Sequence, residues 1–320
     1  MSFSKATQDL LAQLNENYPG SVILRMSGEK SGKILPDQVD TQMLGTRLMI
    51  EVTDQTAPDF VATREMLKML LMLNGYPQVY YQLATEDGAL DEQRVIMTNY
   101  LSQVALHAII YREQAAHRQL TPEIISAYAA GVKATLTPEV NDPDQKEAAL
   151  RLLTLLDAGI FMYAAGDDAD LVSEYYQANY SKAWQATRLI LEQLVLDQIK
   201  TPATVGQAVQ TLFKAFDAQM LDWNLPELGA GEFATLAPSL TPQQLKAPVS
   251  ETFGIRHVNY KMRDADDDAA VFVGELKSSG QNSFVLKAPG TNTAEFFKSI
   301  YALPAQDLFT KLQQPFTIDE

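Results

Sequence analysis

Apolar positions change their period several times along the chain. Residues 4–17 repeat at helical spacing, with Leu10, Leu11 and Leu14 on one face and Pro19-Gly20 as a stop. Ser21–Met26 (SVILRM) and Leu48–Thr53 (LMIEVT) predict two strands, joined by a polar loop carrying Gly28, Gly32 and Pro36. A helix follows from about Phe60 to Leu73 and ends at Asn74-Gly75, two residue types that tolerate left-handed backbone. A long helix spans about Leu90 to Arg118, and Pro122 opens another. Residues 144–222 keep helical periodicity with few breakers. Pro226, Gly229, Gly231, Pro238, Pro242 and Pro248 then punctuate the chain and predict a linker. Beyond them the period falls to two: GIRHVNYKM, AVFVGEL and SFVLKA predict strands, TAEFFKSIYAL a helix and QPFTI a short last strand. No repeat of solenoid length is present. The pattern predicts a predominantly helical α+β chain with an α+β region at 1–140, a helical region at 141–225, a linker at 226–250 and a small α+β module at 251–320.

Composition narrows the partners. The 320 residues suit two or three domains. Lys and Arg number 25 against 40 Asp and Glu, a formal charge of −15, and no segment is basic. Nucleic acid and anionic membranes need a cationic footprint, so neither is expected as a partner. With no cysteine, disulfides, thiolate metal sites and a thiol nucleophile are excluded. The N-terminus lacks a basic stretch followed by an apolar run, so no secretory signal is expected. The best apolar run, Met66–Leu73, is too short to cross a membrane and contains Lys68. The expected location is the cytoplasm.

The helix at 61–73 (VATREMLKMLLML) carries the most informative chemistry. Nearly every position is apolar, which predicts burial on most sides. Arg64 and Lys68 stand one turn apart with Glu65 beside them. That is the spacing of the H-E-x-x-H zinc motif, in which two imidazoles hold the metal and the glutamate acts as general base. Here the pattern is R-E-x-x-K, with the glutamate in register and cations at both ligand positions. A strand precedes this helix, as in zincins, and the next helix opens with Asp91-Glu92-Gln93, Glu92 lying 24 residues after Lys68.

The stretches ATREMLKMLLMLNGYPQ, LDEQRVIMTNYL and YREQAAH resemble the IpaB/EvcA family proteins of lactic acid bacteria, many of which carry H-E-L-L-H where this chain has Arg64-Glu65-Met66-Leu67-Lys68. The resemblance extends over most of the chain, its specific part being residues 60–120. It implies a zincin-like N-terminal region, and the family label does not itself imply invasin activity. The departure falls on the two ligand positions. Arg64 cannot deprotonate and so cannot bind zinc, and Lys68 would have to be neutral. His107, His117 and His257 are the only histidines; the first two are ten residues apart, ~15 Å along one helix, and cannot share an ion. The site is therefore read as a degenerate zincin-like site with no metal and no cofactor. A surface-face reading competes, since Glu65 and Lys68 also make an ordinary i,i+3 pair. If Arg64 is buried it needs a carboxylate, and Glu92 or Asp91 is the natural candidate.

Other motifs are weaker. Ser27-Gly28-Glu29-Lys30-Ser31-Gly32-Lys33-Ile34 looks like a phosphate loop but is one residue short between its glycines and has Pro36 where a helix should begin. Asp264, Asp266, Asp268 and Glu275 match the acidic positions of a calcium loop, but Ala269 replaces the turn glycine and the flanks predict strands, so an acidic hairpin turn is preferred. His107, within VALHAII, is read as an interior or boundary histidine and His117 as solvated. Tyr175, Tyr176, Tyr180 and Trp184 are read as core packing rather than a groove. No serine-hydrolase or dinucleotide signature occurs.

The expected function is that of a non-catalytic binding protein on a zincin-like scaffold, with an unidentified protein or small-molecule ligand. The alternatives are an active hydrolase whose site lies elsewhere and a structural or oligomerising helical protein with 144–222 as its interface.

Overall fold

The computed structural model describes residues 2–166, 170–263, 269–291 and 293–319. The elements run α1 (Lys5–Asn17), β1 (Ser21–Met26), β2 (Val39–Leu44), β3 (Arg47–Val52), α2 (Pro58–Leu73), β4 (Val79–Tyr80), β5 (Leu83–Ala84), α3 (Gly88–Ala116) and α4 (Pro122–Thr135). They continue with α5 (Ala148–Ala165), α6 (Asp170–Asn179), α7 (Ser181–Glu192), α8 (Pro202–Asp222), α9 (Ala230–Phe233), β6 (Thr235–Leu236), β7 (Ser239–Leu240), α10 (Pro242–Lys246) and α11 (Val249–Thr252). The C-terminal part holds β8 (Phe253–Val258), β9 (Lys261–Met262), β10 (Val271–Leu276), β11 (Gln281–Lys287), α12 (Thr293–Ala302), α13 (Ala305–Leu312) and β12 (Thr317–Ile318). The class is α+β and predominantly helical.

The chain forms two compact units, both discontinuous. The first comprises Met1–Asn74 and Leu106–Leu196, the second Gly75–Ala105 and Asp197–Glu320, so α3 runs from the second into the first. In the first unit a three-stranded sheet has the order β1-β3-β2, with β1 parallel and β2 antiparallel to β3. Leu14 of α1, Met66 and Leu70 of α2, and Val22 and Ile50 of the sheet form one buried cluster. Asp59, in the first turn of α2, accepts from Ser4 N (2.8 Å) and Thr7 Oγ1 (2.6 Å) and so ties the start of α1 to the start of α2. Helix α5 is long and apolar enough to cross a membrane by composition, a property the run at Met66–Leu73 lacks; 56% of it is buried inside the protein. Its residues Leu152, Leu155, Leu156 and Ile160 are core, and Arg151, itself buried, pairs with Asp142 at 2.9 Å. Tyr176, Tyr180 and Trp184 are also core residues.

In the second unit the antiparallel sheet β11-β10-β8 separates two apolar clusters. One holds Phe253, Phe284, Ile300 and Phe309; the other holds Val258, Val271, Val273 and Val285. The domain boundaries differ from those expected. Residues 141–225 divide, with α5 to α7 in the first unit and α8 in the second. Residues 226–250 are no linker. Phe233, Leu240 and Val249 are fully buried, β6 pairs with β4 and β7 with β12. Three of the prolines and glycines there mark helix starts: Gly229, at φ +68°, precedes α9, Pro242 opens α10 behind a reciprocal Thr241–Gln244 capping box, and Pro248 precedes α11. Residues 251–320 accordingly share their core with 75–105 and 226–250. Of the possible calcium-loop residues, Asp264, Asp266 and Asp268 lie outside the described residues, while Glu275 sits on β10 and pairs with Arg256 at 3.1 Å.

Candidate functional site: a buried carboxylate among four helices

Four helices of the first unit converge on Asp157. Three of them bring residues one turn apart on a single face, Phe60 and Arg64 from α2, His107 and Tyr111 from α3, and Asp157 and Phe161 from α5, and α4 adds Tyr128. The rings pack around the carboxylate. Tyr128 stacks on Phe161 at 3.9 Å between centroids, and Tyr111 meets Phe161 edge-on at 5.3 Å. Phe60 meets Phe161 edge-on at 6.0 Å.

Three donors reach Asp157. His107 Nδ1 bonds Oδ1, Tyr128 donates its hydroxyl to Oδ2, and Tyr111 donates to Oδ2 at 3.0 Å and Oδ1 at 3.3 Å. Burial opposes ionisation of Asp157, but His107, the Tyr128 hydroxyl and the Arg64 charge hold its pKa below the ordinary aspartate value. Burial, reinforced by the Asp157 charge, pushes both Tyr111 and Tyr128 well above the usual phenol range, so both stay protonated donors. With Nδ1 directed at Asp157, the second ring nitrogen of His107 has no bonding partner among the described residues.

Arg64 lies beside this cluster. Burial disfavours its charge, yet the neighbouring Tyr111 and Asp157 outweigh that and raise its pKa. Its guanidinium stands 5.9 Å from the centre of the Phe60 ring. Among the described residues no acceptor lies at hydrogen-bond distance from its nitrogens, and no carboxylate forms an ion pair with it. The nearby carboxylate is Asp157 of α5, which corrects the expected Arg64–Glu92 pair: Glu92 is exposed, in the part of α3 that belongs to the second unit. Asp91 is buried for a different purpose, accepting from Thr85 N (2.7 Å) and Thr85 Oγ1 (2.8 Å) at the entry to α3.

The other motif residues pair with each other. Lys68 Nζ meets Glu65 Oε2 at 2.6 Å, with 27% and 11% of the two side chains exposed, so the residue in the general-base position is engaged by the residue in the second ligand position. Among the described residues no group of three or more His, Asp or Glu side chains could hold a metal ion. His117 is exposed and close to Glu113, and His257 sits on β8 against Phe272. In the loop resembling a phosphate loop, several backbone donors are already taken. Ser31 N donates to Asp54 Oδ2 at 3.0 Å and Gly32 N to Thr56 Oγ1 at 2.9 Å.

The sequence points to Arg64, Glu65 and Lys68 as site residues and to His107 only as an interior or boundary histidine; Asp157, Tyr111 and Tyr128 were missed. A signal for Asp157 was present: it is the only acidic residue between Ala148 and Ala165, in a run whose other polar side chains are Arg151, Thr154 and the amphipathic Tyr163. Comparison with known protein families, curated proteins and solved structures finds no match to this chain.

Proposed function

We propose that this chain is a non-catalytic, cytoplasmic binding protein that takes a small oxyanion-bearing ligand, carboxylate or phosphoryl, at Arg64. The observation that carries the reading is a half-buried guanidinium that has no hydrogen-bond acceptor among the described residues. Its five donors lie in a plane, a geometry suited to a bidentate oxyanion. Beside it, His107 offers an unoccupied ring nitrogen to a second polar group of the ligand. In this reading α2 keeps the outline of a zincin-like motif helix, as the resemblance to the IpaB/EvcA proteins implies, and serves as a binding element. Arg64 at one ligand position and the Glu65–Lys68 pair support the non-catalytic half of the proposal.

The test is ligand-dependent thermal stabilisation with a panel of small carboxylates and phosphates. The expected result is a saturable rise in Tm with at least one compound, abolished in Arg64→Met and reduced in His107→Ala. No rise with any compound, or an undiminished rise in Arg64→Met, overturns the proposal.

A second reading is supported by the Asp157–His107 pair. A carboxylate on Nδ1 fixes the imidazole tautomer and leaves the other nitrogen able to accept a proton, the arrangement of a general base. Turnover of simple ester or peptide substrates that disappears in His107→Ala and Asp157→Asn would establish this hydrolytic reading in place of the first.

A further inference from the structure

The second unit contains a cationic concavity that the Arg64 site does not involve. It has a volume of about 670 Å³ and lies where the end of β10, the start of β8 and the C-terminal half of α12 meet. Lys277, Lys298 and Tyr301 line it together with Ser250, Pro248 and Phe253, and no acidic side chain is among its lining residues. The chain carries a formal charge of −15, and this hollow holds two exposed lysines and no carboxylate. Helix α12 has no basic residue in its last turn, so its C-terminal dipole accounts for neither Lys298 nor Lys277, which follows a strand.

The polar groups of the hollow are positioned yet not used up. Lys277 donates its backbone N–H to Thr252 O at 3.0 Å and its ammonium to Ser250 O at 2.6 Å, which fixes the side chain across the short α11. An ammonium has three donors, so two remain. Lys298 forms no ion pair among the described residues. Tyr301 accepts Ile255 N at 3.0 Å through its hydroxyl oxygen, which leaves the hydroxyl proton free to donate. Pro248 and Ala302, both reached by solvent, supply an apolar wall.

From these features we infer that this hollow binds the phosphoryl group of a small organic phosphomonoester. Lysines act as compact point charges and match a phosphate dianion, whereas planar recognition of a carboxylate favours arginine. The Tyr301 hydroxyl adds a neutral donor. The hollow is open to solvent and larger than a phosphate ion, which leaves room for an organic body beside the phosphoryl group.

The experiment uses the full chain carrying Arg64→Met, so that oxyanion binding at Arg64 makes no contribution, and phenyl phosphate as the probe, titrated by calorimetry and by NMR. Saturable binding is expected, weakened about tenfold by Lys298→Met, as the loss of one charge-assisted contact implies. Ala302→Glu places a carboxylate at the rim on an exposed position and should weaken binding at least as much. Inorganic phosphate should bind more weakly than phenyl phosphate, and benzoate more weakly still. Absence of saturable binding, or affinity unchanged in both variants, overturns the site; benzoate binding as tightly as phenyl phosphate overturns the phosphoryl assignment.

Discussion

Asp157 and Arg64 carry opposite charges in one cluster but bear different relations to the fold. Asp157 accepts from three side chains on two other helices, so Asp157→Asn removes the charge that all three bonds share. Bonds to a charged partner contribute about 1.5–3 kcal/mol each, and an amide oxygen still accepts some of them. The expected loss in unfolding free energy is therefore ~2–4 kcal/mol. Arg64 donates no hydrogen bond to the described protein, so Arg64→Met should change stability by under about 1 kcal/mol. If denaturant unfolding shows Arg64→Met to be as costly as Asp157→Asn, Arg64 is a structural member of the cluster and its binding role falls. The acid limb gives a second measurement. The folded-state pKa of Asp157 is depressed, so its contribution to stability is complete above the ordinary aspartate value and is lost as pH falls below about 4. The gap in stability between wild type and Asp157→Asn should thus be constant at neutral pH and narrow steadily in acid; a gap that does not narrow contradicts a depressed pKa.

Helices of this chain meet their neighbours at glycines in two distinct ways, which one substitution can separate. Gly131 in α4 lies against the loop that precedes β2: a Cβ there would stand 1.9 Å from Ile34 O. Gly206 in α8 has only ordinary contacts, the nearest being Pro77 Cγ at 3.7 Å. Gly131→Ala should therefore destabilise by ~1–3 kcal/mol, because a backbone carbonyl must move. Gly206→Ala should stabilise by about 0.5–1 kcal/mol, the usual gain from removing a helix-interior glycine. Equal shifts of the denaturation midpoint in the two variants would refute the difference in packing. Such contacts mark the limit of what could be read from the sequence. Elements with a strong apolar period, such as α1, α2 and β10, were legible close to their ends. Strand β2 was not, because Val39–Leu44 lies at a sheet edge with five of its six residues exposed and shows no buried alternation. The motif helix was legible for the same reason as α1. Its partners were not, because nothing local relates position 64 to position 157 across 93 residues; only the oddity of an aspartate in an apolar helix pointed to the cluster.

At the scale of the whole molecule, proline and glycine density suggested a break at 226–250, and packing places none there. The clusters of the second unit draw on residues from both sides of that segment. Leu83 and Phe233 complete the cluster of Val258, Val271, Val273 and Val285, while Leu240 and Leu245 join that of Phe253, Phe284 and Phe309. Side chains of β11 reach back as well: Gln281 Nε2 donates to Leu236 O at 2.7 Å, and Asn282 Nδ2 donates to Gly231 O at 2.9 Å. A fragment containing only residues 251–320 would lose these four apolar side chains together with the β5–β9 pairing. At ~1.5–3 kcal/mol for each buried side chain, the loss alone matches the 5–15 kcal/mol that usually holds a domain together. The fragment should therefore show no cooperative unfolding transition and poorly dispersed amide resonances. Limited proteolysis of the intact chain should leave 226–250 uncut while the exposed segment around Val140 is accessible. A fragment 251–320 that unfolds cooperatively, or first cleavage within 226–250, would show that the C-terminal strands and helices form a module of their own and that the shared core contributes little to holding the second unit together.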